Sequence, residues 1–277
     1  MATAPEARQW DRNGNEAVIE VRDLVKIFQG RKVLDGVNLK VYRGETVTIM
    51  GGSGCGKTTL LRCIVGAYKP EAGGSSLFGN DIAKITPDEL SELRKRIGVV
   101  FQTGALFQSM TVGENIALLL REHTELDDAI IDIIVKMKLE MVGLRDAYGL
   151  MPAQLSGGMS KRVGIARAIS LDPDIVFYDE PTTGLDPIMA GVMNQLIMGL
   201  ADNMRVTSVV VTHDMNSAFK VSDRLIMLHE GKVVADGTAD EIRLTRDPIV
   251  RQFVDGLPDG PIPLRRSRVP YIEDILG

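Results

Sequence analysis

The chain has 277 residues, of which 44% are apolar and 25% charged, and its formal net charge is −5. That length and mixture allow a substantial core in one large domain or two small ones, and they exclude a largely disordered protein. With acids in excess and no long Lys/Arg stripe to displace phosphate counterions, nucleic acid is not expected as an obligatory partner.

Residues 1–16 are polar and carry Glu6, Arg8, Asp11, Arg12 and Glu16, so a flexible tail without an apolar signal segment is expected there. Residues 17–44 read as short strands, Ala17–Val21 and Val33–Val41, ending at Arg43-Gly44-Glu45. The apolar run Val47-Thr48-Ile49-Met50 then leads into Gly51-Gly52-Ser53-Gly54-Cys55-Gly56-Lys57-Thr58-Thr59, a strand, a glycine loop and a helix start. Gly51, Gly54 and Gly56 free the backbone to aim successive N–H groups at phosphate oxygens, and the helix beginning near Lys57 adds its positive end. Lys57 supplies a point charge for the outer phosphates and Thr58 a hydroxyl for Mg²⁺. ATP and Mg²⁺ are therefore the expected ligands of residues 51–59. Cys55 and Cys63 lack metal-ligand spacing and suit a reducing compartment. Cys63 is expected in the core and Cys55 as a loop residue rather than a nucleophile.

Residues 88–170 are mostly helical by pattern, and Ile130, Ile131, Ile134, Met137 and Met141 recur at helical spacing as an expected core stripe. Ser156-Gly157-Gly158 precedes a run with Val163, Ile165, Ala166, Ala168 and Ile169, and by itself reads as a helix cap. Two further apolar runs end in chemistry: Ile175–Tyr178 before Asp179-Glu180-Pro181, and Thr207–Thr212 before His213-Asp214. Short and continuous rather than alternating, they predict a parallel sheet with both faces covered, an α/β fold. Ligands of such sheets sit beyond the carboxyl ends of the strands, where the glycine loop, Asp179-Glu180 and His213 all fall. Asp179 is suited to hold Mg²⁺ through water, Glu180 to orient and deprotonate an attacking water, and His213 to meet the γ-phosphate. The bland alternatives are a helix cap or surface turn for the acidic pair and a satisfied polar residue for the histidine.

Residues 246–277 hold five of the twelve prolines and the cluster Arg265-Arg266-Ser267-Arg268, so an extended segment is expected. No stretch approaches the roughly 20 uncharged apolar residues that a membrane span needs. Any membrane role would be borrowed from partner chains.

In the order of its motifs, from about residue 17 to 245, the chain closely resembles the ATP-binding cassette (ABC) ATPases. The resemblance implies a P-loop NTPase domain over 17–245 with a small antiparallel β-subdomain and a helical subdomain over about 88–170. It implies that Gln102 of Val100-Phe101-Gln102 lies near Mg²⁺ and the attacking water, and that Ser156, Gly157 and Gly158 belong to the signature motif. Gly184-Leu185-Asp186 matches the D-loop and His213 the switch histidine. Phe28 stands where an aromatic ring stacks on adenine, a core position being its alternative. Two copies are expected to associate head to tail as a homodimer, with Ser156, Gly157, Gly158 and Asp186 of one meeting the nucleotide bound by the other. The segment Gly104–Phe107 lies where such ATPases receive a membrane permease.

The stretches Phe101–Phe107, Leu119–Thr124 and Met137–Arg145 are similar to ATPases serving MCE-protein lipid transporters. Val250–Gly256 resembles the ATPases of Mla (maintenance of lipid asymmetry) phospholipid systems. That likeness implies a permease dimer, a periplasmic MCE-domain protein, a small cytoplasmic STAS-domain subunit, and peripheral placement on the cytoplasmic face of the inner membrane. It also implies that the C-terminal segment drapes across the neighbouring ATPase subunit. The sequence departs from that group at Gly52, where proline is usual, at Thr182–Asp186, which has the general cassette form, and over 264–277. An ATPase for another cargo, or less readily a soluble P-loop ATPase, remains the alternative.

Overall fold

The computed structural model describes residues 16–262. Strands β1 (Ala17–Phe28) and β2 (Arg31–Tyr42) pair antiparallel and are joined by β4 (Ala72–Leu77) and β5 (Asn80–Asp81) in a four-stranded sheet of order β2-β1-β4-β5. This is the small antiparallel sheet expected from residues 17–44, extended by the β4-β5 hairpin.

The second sheet has six strands in the order β10 (Lys232–Gly237), β9 (Arg224–His229), β3 (Thr46–Met50), β8 (Thr207–Thr212), β7 (Ile175–Asp179) and β6 (Ile97–Val100). All neighbours run parallel except β10 on β9. Every residue of β3, β7 and β8 is buried, which is why these strands read as unbroken apolar runs. Their two faces serve different cores. Ile175, Phe177, Val209 and Val211 pack with Leu60, Ile64 and the antiparallel sheet. Val176, Tyr178 and Val210 pack with Ile116, Leu139, Val163 and Ile197 of the helices opposite.

Helix α1 (Lys57–Ile64) follows β3, and α2 (Pro87–Lys95) precedes β6. Next come α3 (Val112–His123), α4 (Asp128–Met141) and α5 (Gly157–Ala168), the helical layer. The expected helical stretch over 88–170 thus includes one strand, β6, which is short enough at four residues to be masked by the patterns around it. After β7 and β8 stand α6 (Pro187–Met204) and α7 (Met215–Val221). The chain closes with α8 (Ala239–Leu244) and α9 (Pro248–Asp255). Among the described residues no helix is long and apolar enough to cross a membrane.

Two expectations need correction. In α4 the core contacts are made by Ile131, Val135 and Leu139, whereas Ile130, Met137 and Met141 are 44%, 60% and 38% exposed. The helix is apolar on most of its circumference, so periodicity alone could not choose the buried face. The segment from 246 is not extended throughout. Asp247 caps α9 by accepting from the N–H groups of Ile249 and Val250, Pro248 occupies the first helical position, where its missing N–H is harmless, and Val250 is fully buried. Residues 1–15 and the tail from Pro263, including Arg265–Arg268, lie outside the described residues.

A buried ion cluster fixes the start of β3 against β9. Arg224 donates through Nε to Glu45 Oε1 at 2.7 Å and through Nη2 to Glu45 Oε2 at 3.2 Å. Its Nη1 reaches both carboxylate oxygens of Asp236 at 2.8 and 2.9 Å, and Nη2 also serves the Lys40 carbonyl. Glu45 is 1% exposed and accepts in addition from the Tyr42 N–H at 3.0 Å. Arg224→Ala strands that carboxylate in the interior and is expected to lower stability by about 3–5 kcal/mol, read as a lower urea midpoint. Replacing the pair as Arg224→Met with Glu45→Leu should recover much of the loss, because the buried carboxylate is removed with its partner and Asp236, exposed on β10, is left to water.

Candidate functional site

Register brings the candidate residues level. Met50 pairs with Thr212 and Asp179 with Val211, so β3, β8 and β7 end on one edge and release Gly51, His213 and Glu180 side by side.

The loop between β3 and α1 is built for close backbone approach. Gly51 has φ +149, and a Cβ there would stand 2.2 Å from the Leu228 carbonyl oxygen and 2.8 Å from Cys55 Sγ. Gly52, Ser53 and Gly54 form the outer part of the turn, with Ser53 and Gly54 exposed. Gly56, at φ +113, begins α1 without any side-chain cap and with no acid in the first turn. The leading N–H groups of α1 are thereby kept from competing side chains, as an anion site requires. Lys57 is 7% exposed and folds back to donate to the carbonyls of Gly51 at 2.8 Å and Gly52 at 3.1 Å. Thr58 and Thr59 follow on the first turn of α1 and are partly buried. Burial pushes the Cys55 thiol up, so it is a poor nucleophile, and Cys63 is raised to about 11 for the same reason.

The acidic pair is assembled by hydroxyls and one imidazole. Thr58 Oγ1 donates to Asp179 Oδ1 at 3.2 Å. Burial, with the charge of Glu180 adding to it, holds the Asp179 carboxyl above its ordinary range against the hydrogen bond from Thr58. Glu180 receives Thr183 Oγ1 at 2.9 Å and Thr212 Oγ1 at 3.3 Å, and His213 Nδ1 lies 2.9 Å from its Oε1. Among the described residues no Lys or Arg forms an ion pair with either carboxylate. Thr58 and Asp179 are hard oxygen donors of the kind Mg²⁺ takes when phosphates and water complete its shell. No group of three or more His, Cys, Asp or Glu is gathered as a cage among the described residues, and that ion needs none.

The remaining candidates stand apart. Gln102 is exposed just beyond β6, and no hydrogen bond joins it to Thr58, Asp179 or Glu180. Phe28 ends β1 at 40% exposure, edge-on to Tyr68 with ring centroids 5.5 Å apart, so it is not a core residue and keeps a ring surface open. Ser156 caps α5, its Oγ accepting from the Met159 N–H at 3.2 Å. Its own hydroxyl proton stays available to an outside acceptor. Ser156 and Gly157 are exposed and the first turn of α5 carries no acid. Asp186 caps α6 through the N–H groups of Ile188 and Met189 at 2.9 and 3.0 Å.

Sequence reading missed three supports of Glu180. Thr212 and Thr183 had a signal, since one precedes His213 and the other stands a turn beyond Glu180. Lys161 had none: a lysine after the Ser-Gly-Gly cap reads as a solvated charge, yet it is 7% exposed. An open cavity of about 810 Å³ beside α2, lined by Asn80, Ile85, Asp88, Glu89, Glu92 and Arg96, contains none of the site residues. A phosphate site is a loop and a helix end rather than an enclosed cavity.

A family model described as ABC transporter matches residues 34–183. The chain is 43% identical over 261 residues to the intermembrane phospholipid transport system ATP-binding protein MlaF of Haemophilus influenzae, covering 94% of this chain and 99% of that one. Against the probable ribonucleotide transport ATP-binding protein mkl of Mycobacterium leprae the identity is 40% over 250 residues, 90% of this chain and 72% of the relative. Among solved structures, the dimeric post-hydrolysis state of the ATP-binding cassette MJ0796 bound to ADP and Pi superposes with a TM-score of 0.75 at 33% identity, covering 80% of this chain and 98% of that one.

With Lys57 assigned to the outer phosphates and the loop backbone to the rest, Lys57→Ala should remove one charged donor while leaving the backbone donors in place. Its dissociation constant for a fluorescent ATP analogue is expected to rise about 10- to 100-fold, in line with the roughly 1.5–3 kcal/mol of a charge-assisted hydrogen bond.

Proposed function

The chain belongs to the ABC transporter ATPases, and from that premise we propose that two copies close head to tail over two ATP molecules and so energise phospholipid transport through a membrane permease. The observation that carries the dimer is the exposed, acid-free start of α5 with Ser156 and Gly157 at its tip. A helix end carrying about half a positive charge, with a hydroxyl beside it, is a phosphate site that faces outward. In the closed pair it meets the γ-phosphate held by the other copy's Gly51–Thr59 loop, with Asp186 reaching across beside it.

Within one copy, the loop N–H groups, the start of α1 and Lys57 bind and orient the triphosphate. Phe28 offers its open face to the base. Thr58 and Asp179 would hold Mg²⁺, with Gln102 approaching on closure, and the ion supplies charge neutralisation across the outer phosphates. Glu180, fixed by Thr183, Thr212 and His213, orients the attacking water and takes its proton. His213 keeps its second ring nitrogen for the γ-phosphate. When that phosphate leaves, the outward helix ends lose their common anion and the pair separates.

The permease is proposed to dock beside Phe101 and Phe107, which are 45% and 51% exposed just beyond β6. Similarity to MlaF over almost its whole length supports phospholipid as the cargo, an MCE-domain protein and a STAS-domain subunit as further partners, and peripheral placement on the cytoplasmic face of the inner membrane. Likeness to the mycobacterial relative supports a second reading, the same ATPase working on another cargo.

Glu180→Gln is expected to retain ATP and to run as a dimer in its presence by light scattering, while hydrolysis falls roughly 10²- to 10⁴-fold. Unchanged turnover would remove Glu180 from its role. The cargo is tested by isolating the membrane complex that carries this chain. A permease accompanied by an MCE-domain protein is expected, and a solute permease without one overturns the lipid reading.

A further inference from the structure

Lys161 lies on α5 shortly after the Ser156 cap and is 7% exposed. Its ammonium donates to three main-chain carbonyl oxygens, those of Glu180 at 3.1 Å, Pro181 at 3.1 Å and Thr183 at 2.7 Å. No acidic side chain forms an ion pair with it among the described residues. Burial pulls its pKa down while the charge of Glu180 pushes it back up. A desolvated ammonium whose three N–H bonds are matched to three carbonyls in one turn is a device for holding that turn.

The turn needs holding. Glu180 sits at φ +52, a conformation that non-glycine residues rarely adopt and keep only when their surroundings over-determine it. On one side its N–H donates to the Val211 carbonyl at 2.8 Å. On the other, Lys161 takes its carbonyl and the next two available ones. The same turn runs on through Gly184 to Asp186, the cap of α6.

We propose that Lys161 is a positioning residue that fastens the Glu180–Thr183 turn to the signature helix, so that seating α5 on the partner's nucleotide sets the catalytic carboxylate of its own site. The inference rests on the head-to-tail dimer proposed above. It makes α5 the link between the two sites, since its tip serves one nucleotide and its Lys161 the glutamate that activates the water at the other. Arginine's planar fork does not converge on three carbonyls as an ammonium does, whereas glutamine brings two N–H donors, one bond short of the ammonium, and can serve at most two of the three.

The test is a comparison of full-length Lys161→Met, Lys161→Gln and the unchanged protein. Lys161→Met keeps the unbranched stem out to Cε and removes the ammonium with every donor. Its kcat is expected to fall about 10- to 100-fold while the affinity for a fluorescent ATP analogue stays within about twofold, and the Hill coefficient of ATP hydrolysis should drop toward one. Lys161→Gln should recover part of both. Combined with Glu180→Gln, Lys161→Met should still dimerise on ATP. Unchanged kcat and Hill coefficient in Lys161→Met overturn the proposal, as does loss of the ATP dimer in the double variant, which would make Lys161 a support of assembly. If Lys161→Met does not fold, Lys161→Gln decides: one carbonyl left unheld should lower kcat about threefold or more, and wild-type kinetics overturn the idea. Failure of Glu180→Gln alone to dimerise on ATP would instead sink the head-to-tail reading, whatever Lys161 does.

Discussion

The parallel register of β3, β8 and β7 governs where every polar group of the site stands. Each of the three strands is wholly buried, so none can shift by a residue without driving apolar side chains into the wrong core. The Cys55–Gly51 packing under the glycine loop, the Thr58–Asp179 contact and the His213–Glu180 contact all depend on strand ends that finish level. The Arg224 cluster locks the opposite end of β3, tying the antiparallel sheet to the same frame. The site is therefore as rigid as the sheet, and its electrostatics can be arranged in advance.

Those electrostatics are deliberately unbalanced. Asp179 and Glu180 are each 9% exposed, and their partners are hydroxyls and an imidazole rather than guanidinium or ammonium groups. On the other side stand Lys57 and the uncapped start of α1. In the proposed mechanism the positive groups take the phosphates and the negative groups a metal and a water, so substrate and ion would complete a charge pattern that the fold leaves open. The raised Asp179 carboxyl is the local sign of it, since burial away from water disfavours its ionised form and the neighbouring Glu180 charge adds to that.

Much of this was legible before any coordinates. Continuous apolar runs ending in Gly51, Asp179 and His213 pointed to a covered parallel sheet and one ligand edge, because strand order does not matter to that inference. What escaped was decided by context. In α4 an apolar arc wider than one face left the buried side to be chosen by Leu120 and Val163 from neighbouring helices. Pro248 read as a breaker, although behind Asp247 it starts α9. Lys161 looked like surface charge because nothing local reveals that its helix packs over a turn nineteen residues further on. Long-range carbonyl acceptors leave no trace in residue type.

Helix α5 joins these observations into one mechanical element. At one end it presents Ser156 and Gly157 to the outside, and a little further along Lys161 grips the catalytic turn. Toward its other end Arg167 donates to the carbonyls of Ala105 at 2.9 Å and Gly104 at 3.2 Å. The contact there is tight. A Cβ on Gly104 would lie 2.9 Å from the Ser160 carbonyl oxygen, and one on Gly164 would lie 3.2 Å from Gly104 Cα. The segment held in this way stands between Gln102 and Phe107, where the permease is proposed to dock. A short, well-packed helix that packs on the Gly104 segment, holds the strained Glu180 turn and is proposed to meet the partner's nucleotide cannot move at one of them without displacing the others, because packed interiors yield by discrete shifts rather than by gradual deformation. In the proposed dimer, coupling between transport and hydrolysis then requires no long pathway, only that α5 stay stiff.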